Sequence, residues 1–170
     1  MKRFLILLLA MAWLAVQAQD STQVMRFGYL SYEEALKSMP DYALAQQKLD
    51  KLSAQFDAEA KRVEDEFNTK YEEFLDGQRD FPKTILQKRQ TELQELMERN
   101  IAFRNSSREE LAQARRDALA PLRIRLIELL AKIGQERGYA FIVDTDAQAL
   151  PFINPQMGED INQLVQNALR

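Results

Sequence analysis

The chain has 170 residues and carries 23 basic and 26 acidic side chains, but it has neither histidine nor cysteine. Without imidazole or thiol groups there is no Ser-His-Asp or Cys-His relay, no Cys/His zinc site and no disulfide. Five glycines, five prolines, 46% apolar and 29% charged residues are typical of a helix-rich soluble chain rather than of a loop-rich β-sandwich.

The first 18 residues have the pattern of a cleaved secretory leader. Lys2 and Arg3 precede an apolar run from 4 to 16, and Val16-Gln17-Ala18 resembles a small-residue cleavage site. The alternative is a retained membrane anchor, but these 13 apolar residues fall short of the roughly 20 that span a bilayer. Cleavage would leave 21 basic and 26 acidic residues, a net charge of −5.

Short apolar runs near both ends of the chain predict three strands, at about 24–30, 139–144 and 149–153. Ser31 and Glu34 have the spacing of a capping box, which predicts a short helix after the first strand. Pro40 then suits the first turn of a new helix. We expect residues 19–40 and 121–170 to form one small α/β body.

The middle of the chain predicts a long helical hairpin. Residues 41–76 contain no proline or glycine, and their apolar positions are spaced 3, 4, 4, 3, 4, 4 and 3 residues apart. These positions are Leu49, Leu52, Phe56, Ala60, Val63, Phe67, Tyr71 and Phe74. An 11-residue repeat of this kind favours a long, nearly straight helix. The turn signals at 77–82 therefore predict an arm at 41–120 with its tip at about 77–82.

The turn also predicts which residues of the two helices meet. If it centres near Arg79, residues whose numbers sum to about 159 or 160 face each other. Phe56 should then meet Phe103, and Val63 should meet Leu96 or Met97.

Two segments could interrupt the second helix. Pro121 is expected to end or kink it. The polar segment Asn105-Ser106-Ser107 lacks the apolar stripe, so a break there stays open.

Three short strands leave two open sheet edges, which favour association of several copies. The alternative is a monomer whose sheet edges are short and hydrated. The acidic clusters on the arm, such as Glu64-Asp65-Glu66, are best explained as solvated helix charges, so they give no catalytic or metal site. There is no nucleotide-binding glycine motif, and a negative chain is a poor nucleic-acid binder.

Several segments together resemble one known family. They are the leader, Phe27-Gly28-Tyr29-Leu30, Ala35-Leu36, Met39-Pro40-Asp41-Tyr42, Gly138-Tyr139, Phe141-Ile142-Val143-Asp144, and Asp160-Ile161 with Val165 and Leu169. With the long hairpin between them, they resemble the Skp/OmpH family of periplasmic chaperones. The resemblance covers essentially the whole chain after the leader.

The resemblance implies a mainly helical protein with a small β part, whose arm projects like a tentacle from the body. It implies a homotrimer that assembles through the body and encloses a cavity between three arms. It further implies a periplasmic holdase that binds unfolded outer-membrane proteins without ATP, with no enzymatic activity and no cofactor. Because this chain is acidic, with a pI of about 5.2, its charge argues against binding lipopolysaccharide or a membrane surface.

Apolar residues left over from the hairpin seam, together with basic residues near the tip, are the predicted client contacts. They are Leu75, Phe81, Ile85 and Ile101, and Arg79, Lys83, Lys88 and Arg89. Phe81 and Ile85 could alternatively serve only to close the turn. A rival function for the whole chain is that of a structural coiled-coil subunit of a cell-envelope complex.

Overall fold

The computed structural model describes residues 25–169, and the predicted leader lies outside the described residues. In chain order the elements are β1 (Phe27–Leu30), α1 (Tyr32–Lys37), α2 (Pro40–Gly77), α3 (Lys83–Arg137), β2 (Ile142–Asp144), β3 (Gly158–Asp160) and α4 (Asn162–Leu169). The expectation of a mainly helical chain with strands from both of its ends is confirmed. Within the described range, no helix combines the length and apolarity needed to span a membrane.

The three strands form a small parallel sheet with β1 in the centre and β2 and β3 at its edges. Gly28 of β1 is in register with Ile142 of β2 and with Glu159 of β3. Both neighbours therefore come from the far end of the chain, and each contributes only three residues. The sheet joins two segments that are far apart in the sequence, and no further strand of residues 25–169 pairs with either of its outer edges.

The strand predicted at 149–153 is wrong, because the third strand is β3. Pro151 and Pro155 remove two backbone donors and restrict the residues that precede them. Gly158, in contrast, allows β3 to approach β1 closely, since a Cβ at this position would lie 2.6 Å from Cε2 of Phe27. The apolar composition of 149–153 instead produces an exposed loop, with the Phe152 side chain 77% exposed.

The body has one hydrophobic core to which β1, α1, α3 and α4 all contribute. Its buried members are Leu30, Ala35, Leu36, Met39, Leu119, Leu122, Leu126, Ile133, Ile161, Val165 and Leu169. Leu126, Ile161 and Val165 are completely inaccessible to solvent. Since α3 supplies four of these residues, the base of the arm is part of the core of the body.

Helices α2 and α3 form the antiparallel hairpin, joined by residues 78–82. The 38 residues of α2 correspond to a length of about 57 Å. Along the arm the helices bury a single seam, and most of the remaining surface is exposed. The arm therefore has little core of its own.

Helix α3 is continuous over 55 residues and passes through both predicted interruptions. Pro121 neither ends it nor starts a new element, because Leu119, Leu122 and Leu126 around it are anchored in the core of the body. There is also no break at 105–107. Ser107 is 8% exposed and occupies the seam position between Phe103 and Leu111, so the stripe continues through a polar residue.

Candidate functional site

The seam of the arm confirms one predicted pair and decides between the two residues predicted for another. The rings of Phe56 and Phe103 meet edge to face, with their centroids 6.4 Å apart. Met97, however, is 47% exposed, whereas its neighbour Leu96 is buried. Adjacent helical residues point about 100° apart, so only one of these two can fill the seam.

Two polar contacts fix the register of the hairpin in its middle third. The Asn100 side-chain amide donates a hydrogen bond to the backbone carbonyl of Val63 at 3.1 Å. Beside it, Nη2 of Arg104 lies 2.6 Å from Oε2 of Glu64. This ion pair is exposed and contributes about 0 to 1 kcal/mol, but it identifies one face of the hairpin, because it joins the two helices there.

Four exposed apolar side chains lie on that face. On α2, Tyr71 and Leu75 follow Glu64 by 7 and 11 residues, which places all three on one side of the helix. On α3, Met97 and Ile101 precede Arg104 by 7 and 3 residues, on the corresponding side. We call Tyr71, Leu75, Met97 and Ile101 the arm face; Ile101 is its most exposed member at 54%.

The predicted apolar contacts divide between different surfaces. Leu75 and Ile101 belong to the arm face. Ile85 is also exposed, but it lies roughly 160° around α3 from Ile101 and so points to another side. The ring of Phe81 is half-buried and packs against Gly77, where a Cβ would overlap it. Phe81 therefore closes the turn.

Tyr71 and Met97 were not among the predicted client contacts, because the apolar spacing placed Tyr71 in the seam and left Met97 as one of two candidates for it. Tyr71 is instead 44% exposed and stacks on Phe67, with their ring centroids 5.9 Å apart. Both residues could have been identified as exposed from the sequence, because each lies near another apolar residue that could fill the same seam position. Phe67 precedes Tyr71 by one helical turn, and Leu96 precedes Met97 directly, so in each case the seam had a second apolar candidate.

The predicted basic residues at the tip, Arg79, Lys83, Lys88 and Arg89, are all exposed. Two of them share one acidic neighbour: Nζ of Lys88 lies 3.8 Å and Nη1 of Arg89 lies 3.1 Å from the Glu92 carboxylate. The positive charge of the tip is therefore partly neutralised. Among residues 25–169, no cluster of acidic side chains has the arrangement of a metal site.

A second exposed apolar surface, which the sequence pattern did not predict, lies on the body. A groove of about 480 Å³ between α3 and β2 is lined by Ile127, Leu130, Phe141 and Ile142, among others. Ile127 and Phe141 are 57% and 48% exposed. This groove borders the open edge of the sheet at β2, and uncovered apolar surface next to an unpaired strand favours association.

Glu159 stabilises the body by joining three segments. Its carboxylate accepts hydrogen bonds from Arg26, Arg137 and the Tyr139 hydroxyl. Burial of the Tyr139 ring, followed by its bond to Glu159, raises the pKa of Tyr139 to about 12. The hydroxyl is therefore a stable donor at any physiological pH, and the cluster is structural.

Comparison with known proteins identifies the family of this chain and a solved structure with a similar fold. Residues 26–169 match the family described as Outer membrane protein (OmpH-like). The chain is also similar to a crystal structure of a Caulobacter crescentus CB15 protein described as an OmpH-like outer membrane chaperone. The TM-score is 0.63 at 17% identity, covering 85% of this chain and 83% of that one. At this identity the likeness shows the fold alone. No curated protein matches the chain.

Proposed function

The chain belongs to the OmpH-like outer membrane protein family, and on this basis we propose that it is a periplasmic holdase chaperone for unfolded outer-membrane proteins. It acts without ATP and catalyses no reaction. The observation that carries the proposal is the arm face, where Tyr71, Leu75, Met97 and Ile101 stay exposed on a long helical hairpin. Family membership supports the kind of client, and residues 1–18 would direct the chain to the periplasm.

A holdase has to bind the unfolded client and release it for folding, which requires many weak contacts rather than one tight site. Each apolar side chain of the arm face offers part of the roughly 1.5 to 3 kcal/mol that full burial of such a residue is worth. Exposed cations at the tip add ionic contacts. Ile85 extends the apolar surface on another side of the arm, whereas Phe81 contributes mainly by shaping the tip.

Assembly as a homotrimer through the body is the second part of the proposal. The open edges at β2 and β3 and the apolar groove beside Ile127 and Phe141 support it, because a neighbouring copy would cover all three. Three arms would then surround a cavity in which a client is held.

Suppression of aggregation tests the proposed function. An unfolded β-barrel membrane protein is diluted from denaturant into buffer without nucleotide, and its aggregation is followed by light scattering. We expect the client to stay soluble at about one trimer per client chain. Aggregation at the rate of the client alone, while circular dichroism shows the protein to be folded, would rule out the chaperone function.

The arm face is tested by placing a charge in it. Ile101→Glu should weaken client binding by about tenfold, since it removes apolar contact area and introduces an ion that the client would have to desolvate. Ile124→Glu is the matched control, because it makes the same change at an isoleucine of the same helix that is 59% exposed and lies outside the arm face, beside the body. Equal losses in both variants would mean that the arm face has no special role.

A structural coiled-coil subunit is the second candidate function, and the unbroken course of α3 favours it. Such a subunit would form a stable complex with a folded envelope protein and would leave client aggregation unchanged. The same light-scattering assay therefore separates the two functions.

A further inference from the structure

The seam of the arm has a gap in its middle third. One layer of the seam is formed by Phe56 and Phe103, and another, nearer the body, contains Leu111. Between these layers the two helices present Ser53 and Ser107, whose side chains are too small to meet across the seam. The result is a groove of about 500 Å³ lined by all five residues.

Ser107 is the unusual member of this gap. It is more than nine-tenths buried, lines the groove, and its Oγ has no hydrogen-bond partner among the described residues. A buried hydroxyl without a partner is destabilising. An apolar side chain would fill this position of the seam better. The serine therefore leaves space in the seam that a bound ligand can fill.

The groove is elongated. A smaller groove of about 360 Å³ extends it toward the body and shares Ser53, Arg108 and Leu111 with it. Together they run along α2 from Gln46 to Asn68, a distance of about 33 Å. An extended chain rises about 3.3 Å per residue, so about ten residues fit this length, as in one transmembrane β-strand.

The two walls of the groove carry opposite charge. The α2 side carries Asp57, Lys61, Glu64 and Asp65, and the α3 side carries Arg104 and Arg108. Glu64 pairs with Arg104 and Lys61 pairs with Asp65, which leaves Asp57 and Arg108 to meet a peptide backbone. Carboxylates accept hydrogen bonds from backbone N–H groups, and guanidinium groups donate them to backbone carbonyls. Every extended peptide offers both groups along its length, so these walls suit main-chain recognition that tolerates many client sequences.

We propose that this groove, named here the mid-arm groove, binds one extended strand segment of the unfolded client. Alternate apolar side chains of the strand pack on Phe56, Phe103 and Leu111, and one of them occupies the space that the small side chains of Ser53 and Ser107 leave open. The inference rests on the proposed chaperone function and deepens it, because it assigns a defined subsite next to the arm face.

The test uses Ser107→Leu, which fills the groove with the kind of side chain that the seam otherwise contains. We expect a higher melting temperature together with about tenfold weaker binding of a fluorescently labelled unfolded β-barrel protein, measured by anisotropy. Ser106→Leu is the matched control, because Ser106 is the exposed neighbour outside the groove and gains the same helix propensity. It gives up the bond from its hydroxyl to the Phe103 carbonyl but should leave the affinity unchanged. Unchanged affinity in a folded Ser107→Leu protein would overturn the inference.

If Ser107→Leu proves less stable than the original chain, photo-cross-linking tests whether the client binds in the mid-arm groove. A photoreactive residue at position 57 lies on the groove wall, and one at position 55 lies roughly 160° around α2. Strong client cross-linking from 57 and little from 55 supports the groove, whereas equal or absent cross-linking overturns it. Failure of the unmodified protein to bind any client would instead contradict the chaperone function itself, and this inference with it.

Discussion

Asn100 occupies a seam position of the arm where an apolar side chain would otherwise pack, one turn from the buried Leu96. Its amide reaches the carbonyl of Val63 across the hairpin. In a shifted register this partly buried amide would lose its partner, which costs about 1 to 3 kcal/mol. A single polar residue can therefore select one alignment of two long helices that an apolar stripe alone specifies poorly.

Asn100→Ala should lower the free energy of unfolding by about 1 kcal/mol relative to Asn105→Ala. Asn105 is an exposed asparagine in the same helix, so both variants gain the same helix propensity and only one loses the bond across the hairpin. Urea denaturation at one fixed protein concentration measures the difference. If both variants changed stability equally, Asn100 would have no role in setting the register.

Asp146 links the end of β2 to the start of α1. Its Oδ2 accepts a hydrogen bond from the backbone N–H of Glu33 at 2.7 Å, and this bond holds the pKa of Asp146 below its ordinary value of 3.8. The stabilising contribution is therefore present above that ordinary value, and it is lost as the pH falls through the lower pKa of the folded state.

Asp146→Asn should flatten the dependence of unfolding free energy on pH as the pH falls below the ordinary value of 3.8, since the variant has no carboxylate to protonate. Asp76→Asn, the same change at an exposed position near the tip of the arm, is the control. Chemical denaturation at several pH values gives both slopes. A slope in Asp146→Asn as steep as in the unchanged protein would show that the hydrogen bond between Glu33 and Asp146 does not contribute to acid sensitivity.

The helices were predictable from the sequence because a 3–4 spacing of apolar residues reports directly on a buried helical stripe. That spacing identified the seam at Phe56 and Phe103, but it could not show which of two competing residues, such as Leu96 and Met97, would enter the seam. The continuity of α3 and the position of β3 depend on tertiary packing. The core of the body keeps α3 helical through Pro121. The third strand forms at Gly158 rather than in the more apolar segment 149–153, because a strand there has to approach β1 closely.

Pro121→Ala should raise the free energy of unfolding by about 1 to 2 kcal/mol. It restores a backbone donor within α3 and relieves the clash of the ring with the preceding turn, while greater freedom of the unfolded chain offsets part of the gain. Thermal and urea denaturation measure the change. Reduced stability would indicate that the packing of Leu119 and Leu122 depends on the local geometry that proline imposes.

The body and the arm have complementary roles in the proposed chaperone. The body has a single core built from both ends of the chain, together with open sheet edges that a second copy can cover. The arm has an apolar face and, beside it, a groove with charged walls. Because α3 belongs to both parts, the proposed assembly at the body would fix where each arm starts and therefore how the proposed client-binding surfaces face one another.

Native mass spectrometry of the protein mixed with an unfolded β-barrel client, in the absence of nucleotide, tests this arrangement most directly. It reports the number of chains in the assembly and the number of clients held. We expect a dominant species with the mass of three chains, and a second species with the mass of three chains plus one client. A single chain that carries no client, under conditions where the protein is folded, would contradict both the assembly and the chaperone function.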